Sequence, residues 1–227
     1  MRRLVLFDID GTLVAGGPAK RAFEAAMIET YGTAGDVAGF SFSGKTDPQI
    51  ARELLTGAGF DRRVIDEGMT SLWERYLAHL EAGLAERPMR VLGGVRELLD
   101  ALVGIDGIAL GLLTGNIQAG ARLKLESAGL WHHFEIGSFG SDHEERDRLP
   151  LIALERARRH WRVPLPAREA VIVGDTPRDV GCGRAGGTRT LAVATGRFSA
   201  AELAAAGADH VVEDFTATER VVELLTG

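Results

Sequence analysis

Apolar positions follow two rhythms along the chain. Short solid runs occur at Val5, Leu6, Phe7 and Ile9, then at 108–114, 170–174, 190–194 and 210–212, with 134–139 as a further candidate. Runs of this length read as strands buried on both faces. Between them, apolar residues recur at helical spacing: Leu98, Leu99 and Leu102; then Leu123, Leu125 and Ala128; then Ile152, Leu154 and Ala157. An alanine-rich helix from about 200 and a last helix over 216–225 complete the series. From Pro88 onward, strand and helix alternate. That alternation predicts an α/β fold with a parallel, doubly wound sheet.

The stretch from 16 to 86 carries no strand pattern. Pro18 opens a helix with Ala22, Phe23, Ala26, Met27 and Tyr31 on one face, and 32–44 is a glycine-rich loop. A second helix begins at 46–49, with Asp47 as N-cap and Pro48 at the first helical position. It buries Ile50 and Leu54 and stops near Gly57. Val64, Met69, Leu72, Trp73, Tyr76 and Leu80 mark a longer helix over about 61–85. The expected division is therefore a core of 1–15 with 87–227 and an inserted helical domain of 16–86. Gly16, Gly17 and the 86–88 region are the expected hinges.

With 227 residues, 45% of them hydrophobic and 26% charged, the composition is that of an ordinary globular protein. A net charge of -6 argues against general affinity for nucleic acid. An anionic substrate would then need local cations or a metal. The single cysteine, Cys182, excludes an internal disulfide and a cysteine-only zinc site. Met1, Arg2 and Arg3 precede only four apolar residues before Asp8, too few for a signal peptide or a membrane span. The expectation is a cytoplasmic protein, monomer or homodimer, without nucleic-acid or membrane partners.

Three of the apolar runs end in polar residues: Asp8 and Asp10; Thr114, Gly115 and Asn116; Asp175 and, four residues on, Asp179. In a parallel sheet such ends share one edge, where ligands bind. Two carboxylates about 4 Å apart repel by roughly 4 kcal/mol at an effective dielectric near 20. A cluster of Asp8, Asp10, Asp175 and Asp179 therefore calls for a hard cation such as Mg²⁺. The Thr114 hydroxyl and the amides of Gly115 and Asn116 can face an anion at the start of a helix. Oxygen ligands beside anion donors point to phosphate chemistry. Taken singly, Asp10 and Asp175 are also ordinary turn or cap residues, and Thr114 an ordinary N-cap. Lys45 reads first as a solvated loop lysine, although its loop can reach over the pocket. His132 and His133 lack a nearby third ligand and read as surface residues. Cys182 reads as an inert buried thiol, and Trp73 and Tyr76 as helical core.

Together, Asp8-x-Asp10-Gly11-Thr12, Thr114, a basic residue and Gly174-Asp175-x-x-x-Asp179 resemble the haloacid dehalogenase superfamily. The helical insert resembles that family's cap. Gly-Lys-Thr-Asp-Pro at 44–48 and Ala-Val-Ala-Thr-Gly at 192–196 are most similar to its phosphoglycolate phosphatase and β-phosphoglucomutase-like branch. The resemblance implies that Asp8 is a nucleophile forming an aspartyl-phosphate and Asp10 the general acid and base. It implies Mg²⁺ on the Asp8 carboxylate, the Asp10 carbonyl and Asp175, with Asp179 as ligand or outer partner. Thr114, Gly115 and Asn116 would hold phosphate. Where the family usually has lysine, this chain has Glu145, Arg146, Asp147 and Arg148 before Leu149 and Pro150. Counting back from the helix favours Arg146, with Arg148 as the alternative. The implied activity is Mg²⁺-dependent hydrolysis of a small phosphorylated metabolite, phosphoglycolate among them. Two alternatives are a phosphosugar mutase and a non-enzymatic phosphate-binding or regulatory module, which would have no need of a nucleophile. A true dehalogenase would find Asp10 and the metal acids superfluous.

Overall fold

The computed structural model describes residues 3–227, so Met1 and Arg2 of the N-terminal reading lie outside the described residues. The strands are β1 (Arg3–Phe7), β2 (Val14–Ala15), β3 (Arg90–Val91), β4 (Ile108–Thr114), β5 (Ile136–Phe139), β6 (Ala170–Gly174), β7 (Arg189–Val193) and β8 (His210–Val212). Six of them form one sheet in the order β5-β4-β1-β6-β7-β8, with every pairing parallel. The short strands β2 and β3 pair antiparallel, Val14 opposite Val91.

Side chains alternate across the sheet with the strand period of two. Val5, Phe7, Leu110, Leu112, Val171 and Val173 face one layer, and Leu4, Leu6, Ala109, Ala170 and Ile172 the other. That is why the runs are solid in sequence: helices cover both faces. The helices are α1 (Ala19–Tyr31), α2 (Asp47–Gly57), α3 (Arg62–Glu86), α4 (Val95–Val103), α5 (Gln118–Ser127), α6 (Leu149–Trp161), α7 (Pro177–Gly186), α8 (Ala200–Ala205) and α9 (Thr218–Thr226). Leu98, Leu99 and Leu102 of α4 and Val221 and Leu225 of α9 pack on the first face. Ala153, Leu154 and Ala157 of α6 and Cys182 of α7 pack on the second. The chain winds outward from β1 to β4 and β5, then returns past β1 to begin again at β6. The winding thus reverses beside β1, and the carboxyl ends there open the crevice where α/β sheets hold ligands.

Helices α1, α2 and α3 form the insert between β2 and β3. Helix α1 packs on α3, and α3 continues onto α5 of the sheet layer. Two expectations need correction. The N-cap of α2 is Thr46, whose hydroxyl accepts from Gln49 N at 3.2 Å, and Asp47 is the first helical residue. The threonine hydroxyl meets the N3 amide, which frees the Asp47 carboxylate for a partner outside its own helix. His133 also departs from the surface reading. Its side chain is 9% exposed, it stacks on His132 at 4.1 Å, and burial lowers its pKa. Among the described residues no helix is long and apolar enough to cross a membrane.

Candidate active site

The site is built where β1, β4 and β6 stop. Asp8 follows β1 directly and still donates its backbone N–H to Val173 at 2.8 Å, so its side chain is fixed by the sheet itself. The chain then turns at Gly11, with φ of +87°, and a Cβ there would lie 2.4 Å from Asp175 Oδ2. Glycine is needed twice over, for the left-handed backbone and for the space. Thr12, wholly buried, donates to Asp175 Oδ1 at 3.3 Å. Asp179 stands in the first turn of α7, in a capping box with Thr176. Carboxylate oxygens of Asp8, Asp175 and Asp179 lie within 4.8 Å of one another, and all three residues are buried.

Arg146, also buried, supplies the cation. It sits in the 3-10 turn before α6, with Nη2 3.2 Å from Asp8 Oδ1 and 2.5 Å from Asp179 Oδ1. Burial works against its charge, but Asp179 and Asp8 hold its pKa above the ordinary arginine value. Its Nε is buried without a protein partner, a donor left over for a ligand. One guanidinium does not balance the acids. Burial, with Asp179 adding to it, pushes Asp8 up to about 6 despite Arg146. Burial, Asp179 and Asp8 push Asp175 up to about 8. Both raised values mark negative charge in excess of what Arg146 offsets, which a divalent cation would balance, so the donor set suits Mg²⁺. Asp179 has both oxygens engaged: Oδ1 by Arg146, and Oδ2 by the Thr176 amide at 3.0 Å and hydroxyl at 2.7 Å.

Across the crevice, Thr114 ends β4 wholly buried. Its hydroxyl accepts from the Asn116 side-chain amide at 2.9 Å and the Asn116 backbone amide at 3.3 Å, leaving its proton to donate elsewhere. Asn116 turns its side chain to Asp10, donating to Oδ2 at 2.8 Å. Lys124 of α5 donates to the same Oδ2 at 2.7 Å and to Asn116 Oδ1 at 2.5 Å. Each acid of the Asp8/Asp10 pair thus has its own buried cation, Arg146 for one and Lys124 for the other.

The loop before α2 lies over this edge. Arg146 Nη1 donates to Gly44 O at 3.4 Å, Thr46 Oγ1 to Glu144 O at 2.7 Å, and Asp47 N to Gly115 O at 2.7 Å. Asp47 Oδ2 accepts from Ile117 N at 2.8 Å, at the start of α5. A Cβ on Gly115 would come within 2.1 Å of Lys45 O, so the loop approaches more closely than any other residue there permits. Lys45 itself pairs with Glu53 and lies 4.0 Å from the Phe40 ring. Between loop, insert and sheet edge is a cavity of about 390 Å³, with Asp8, Asp10, Lys124 and Arg146 below and Phe23 and Tyr76 above.

Of the residues singled out in the sequence, Asp8, Asp10, Thr114, Gly115, Asn116, Arg146, Asp175 and Lys45 all line this cavity. Asp179 stands behind it on Arg146. Arg148 does not join them: its side chain is 62% exposed and pairs with Glu145. Tyr76 packs in the helical core and also faces the cavity. Cys182 is buried, donates to Arg146 O, and burial pushes its thiol up to about 12. The sequence reading passed over Lys124. The signal was there: Ile117, Ala121, Lys124, Leu125 and Ala128 are all buried, a helical stripe with a charge set in it.

A model of the haloacid dehalogenase-like hydrolase family matches residues 5–193. The chain is 28% identical over 225 residues to "Probable phosphatase IndB" of Dickeya dadantii (strain 3937), covering 95% of this chain and 91% of that protein. It is 30% identical over 221 residues to "Phosphoglycolate phosphatase, plasmid" of Cupriavidus necator, covering 94% and 90%. A crystal structure of a hydrolase from Pseudomonas syringae shares the fold with a TM-score of 0.74 at 19% identity, over 100% of both chains. The match spans every strand that carries an acid of the site, and the chain belongs to the haloacid dehalogenase-like hydrolases.

Proposed function

We propose that this enzyme is a Mg²⁺-dependent phosphatase of small phosphorylated metabolites, working through an aspartyl-phosphate on Asp8. The observation that carries the reading is the setting of Asp8, buried at a strand end between Arg146 at 3.2 Å and the carboxyls of Asp175 and Asp179. Mg²⁺, when bound by Asp8, Asp175 and the Asp10 carbonyl, would offset the repulsion between carboxylate and phosphate. Asp179, engaged on both oxygens, serves as an outer partner that holds Arg146 in place.

Asp8 attacks phosphorus in line with the leaving oxygen, and the bond to that oxygen breaks. Asp10 gives the departing alkoxide its proton. Water then attacks the phosphorus of the aspartyl-phosphate and gives a proton back to Asp10, and the bond to Asp8 breaks to release phosphate. Arg146 neutralises the oxygens gathered at Asp8, and the Thr114 hydroxyl and the Gly115 amide hold the phosphate. Residues 16–86 act as a cap that closes over the phosphate and keeps bulk water out, on a core of 1–15 and 87–227. A cytoplasmic monomer or homodimer goes with this reading. The name of the relative from Cupriavidus necator makes phosphoglycolate the first substrate to try. The cap side of the cavity sets Phe23, Phe42, Ile50 and Tyr76 beside Lys20, Ser43, Lys45 and Asp47, a mixed wall whose lysines suit a small anionic leaving group.

The test uses p-nitrophenyl phosphate and a panel of phosphorylated metabolites with Mg²⁺. Hydrolysis is expected, abolished by EDTA and by Asp8→Asn. Turnover that survives either treatment contradicts the mechanism, and an isomer formed from a hexose phosphate without free phosphate supports the mutase.

A further inference from the structure

The strongest feature not yet accounted for is the buried lysine on α5. Lys124 is 4% exposed, on a helix whose other buried residues are apolar or small. Burying an ammonium is costly, and Leu or Met at this position would pack without that cost. A charge kept there needs an electrostatic partner, and the partner is the Asp10 carboxylate at 2.7 Å. Asp47 faces the same ammonium from α2, and Lys124 eases the burial of that carboxyl as well.

The bonds to Asp10 are unequal. Oδ2 accepts from both Lys124 Nζ, at 2.7 Å, and Asn116 Nδ2, at 2.8 Å. Asn116 is in turn held by Lys124 on its carbonyl and by Thr114 on its amide, so Lys124 anchors Asp10 directly and through Asn116. Oδ1 has no hydrogen-bond partner among the described residues. The side chain is 44% exposed to the crevice and would otherwise choose freely among rotamers.

We propose that Lys124 is the positioning residue of the general acid and base: it pins Asp10 by Oδ2 and leaves Oδ1 as the oxygen that gives and takes the proton. The inference rests on the phosphatase reading given above. In the first half-reaction the proton on Oδ1 passes to the leaving oxygen as the phosphorus–oxygen bond breaks. In the second, Oδ1 takes a proton from the attacking water as the bond from phosphorus to Asp8 breaks. Asn116 and Lys124 keep their protons throughout. The same grip explains why Asn116 turns its side chain towards Asp10.

The measurement separates substrates by leaving group. p-Nitrophenolate departs without a proton, whereas an alkoxide needs one. kcat/KM reports the steps through formation of the aspartyl-phosphate, and kcat includes its hydrolysis. In Lys124→Met, kcat/KM for an alkyl phosphate should fall about a hundredfold, the size of a lost general acid. For p-nitrophenyl phosphate kcat/KM should change by less than about threefold, while kcat falls because Asp10 is also the base. Both substrates are read on one preparation, so a partly misfolded sample lowers both equally and leaves their ratio unmoved. Lys124→Arg should restore most of the ratio. In an Asp10→Asn background, Lys124→Met should no longer move it.

Equal losses on both substrates, or a ratio that still moves in the Asp10→Asn background, would overturn the assignment. If Asp10→Asn itself leaves the ratio unchanged, it is the role of Asp10 in the parent reading that fails.

Discussion

Arg146 touches Asp8, Asp179 and the carbonyl of Gly44 at once, so its planar fork carries more than a charge. Arg146→Lys should keep the fold and lower kcat/KM by about tenfold, because a point charge cannot serve all three oxygens. Arg146→Met should cost a hundredfold or more, the scale of losing a main donor to the phosphate. Equal activity of the lysine variant would show that charge alone suffices. Cys182 makes the opposite case. Buried on the inner face of α7 with its thiol raised to about 12, it should resist thiol reagents in the native enzyme at neutral pH and react only on unfolding. Rapid labelling of the folded protein would refute that burial.

At the scale of elements, the start of α2 is tied to the start of α5. The Asp47 carboxylate reaches Ile117 N, and its own amide reaches Gly115 O, so one residue docks the loop on both sides of Asn116. Asp47→Ala should loosen that docking and raise KM several-fold with a smaller change in melting temperature, read from steady-state kinetics and thermal melts side by side. An unchanged KM would detach this contact from function. These ties also mark what sequence could and could not convey. The strands at 108–114 and 170–174 were legible because helices cover both faces, making their apolar runs continuous. Asp8 and Asp175 were legible because acids are rare at the ends of such runs. Asp47 looked like a cap because Asp before Pro usually is one, and its partner lies 70 positions away. The stripe on its helix marks Lys124 as buried, but its partner is 114 residues away, and only the fold makes them neighbours.

At the scale of the whole molecule, clustered acids make stability depend on pH and metal together. Asp175 titrates near 3.8 when unfolded and at about 8 in the fold. A folded pKa above the unfolded one gives stability that is complete below the unfolded value and is lost as pH rises through the folded value. Without metal, the melting temperature should therefore fall as pH rises from about 4 to about 8 and level off above that, and Asp175→Asn should flatten the fall. His133, lowered by burial, works the opposite way below its ordinary value of 6.5, so the fall is clearest above about pH 7. Mg²⁺ should bind more tightly over the same interval as protons leave its ligands. A metal-free protein that gains stability from pH 7 to 8 would rule out the burial of Asp175 as its controlling charge.

The antiparallel pair β2 and β3 has a mechanical consequence. The two chain crossings into the helical insert are stitched together by Val14 with Val91 and Ala15 with Arg90, and by Leu92 N on Leu13 O at 3.0 Å. Two separate tethers would let the insert twist and slide; a stitched pair behaves as an axle, allowing swing about one line and little else. A one-residue insertion on a single side should therefore skew the axle, while matched insertions on both sides should be tolerated.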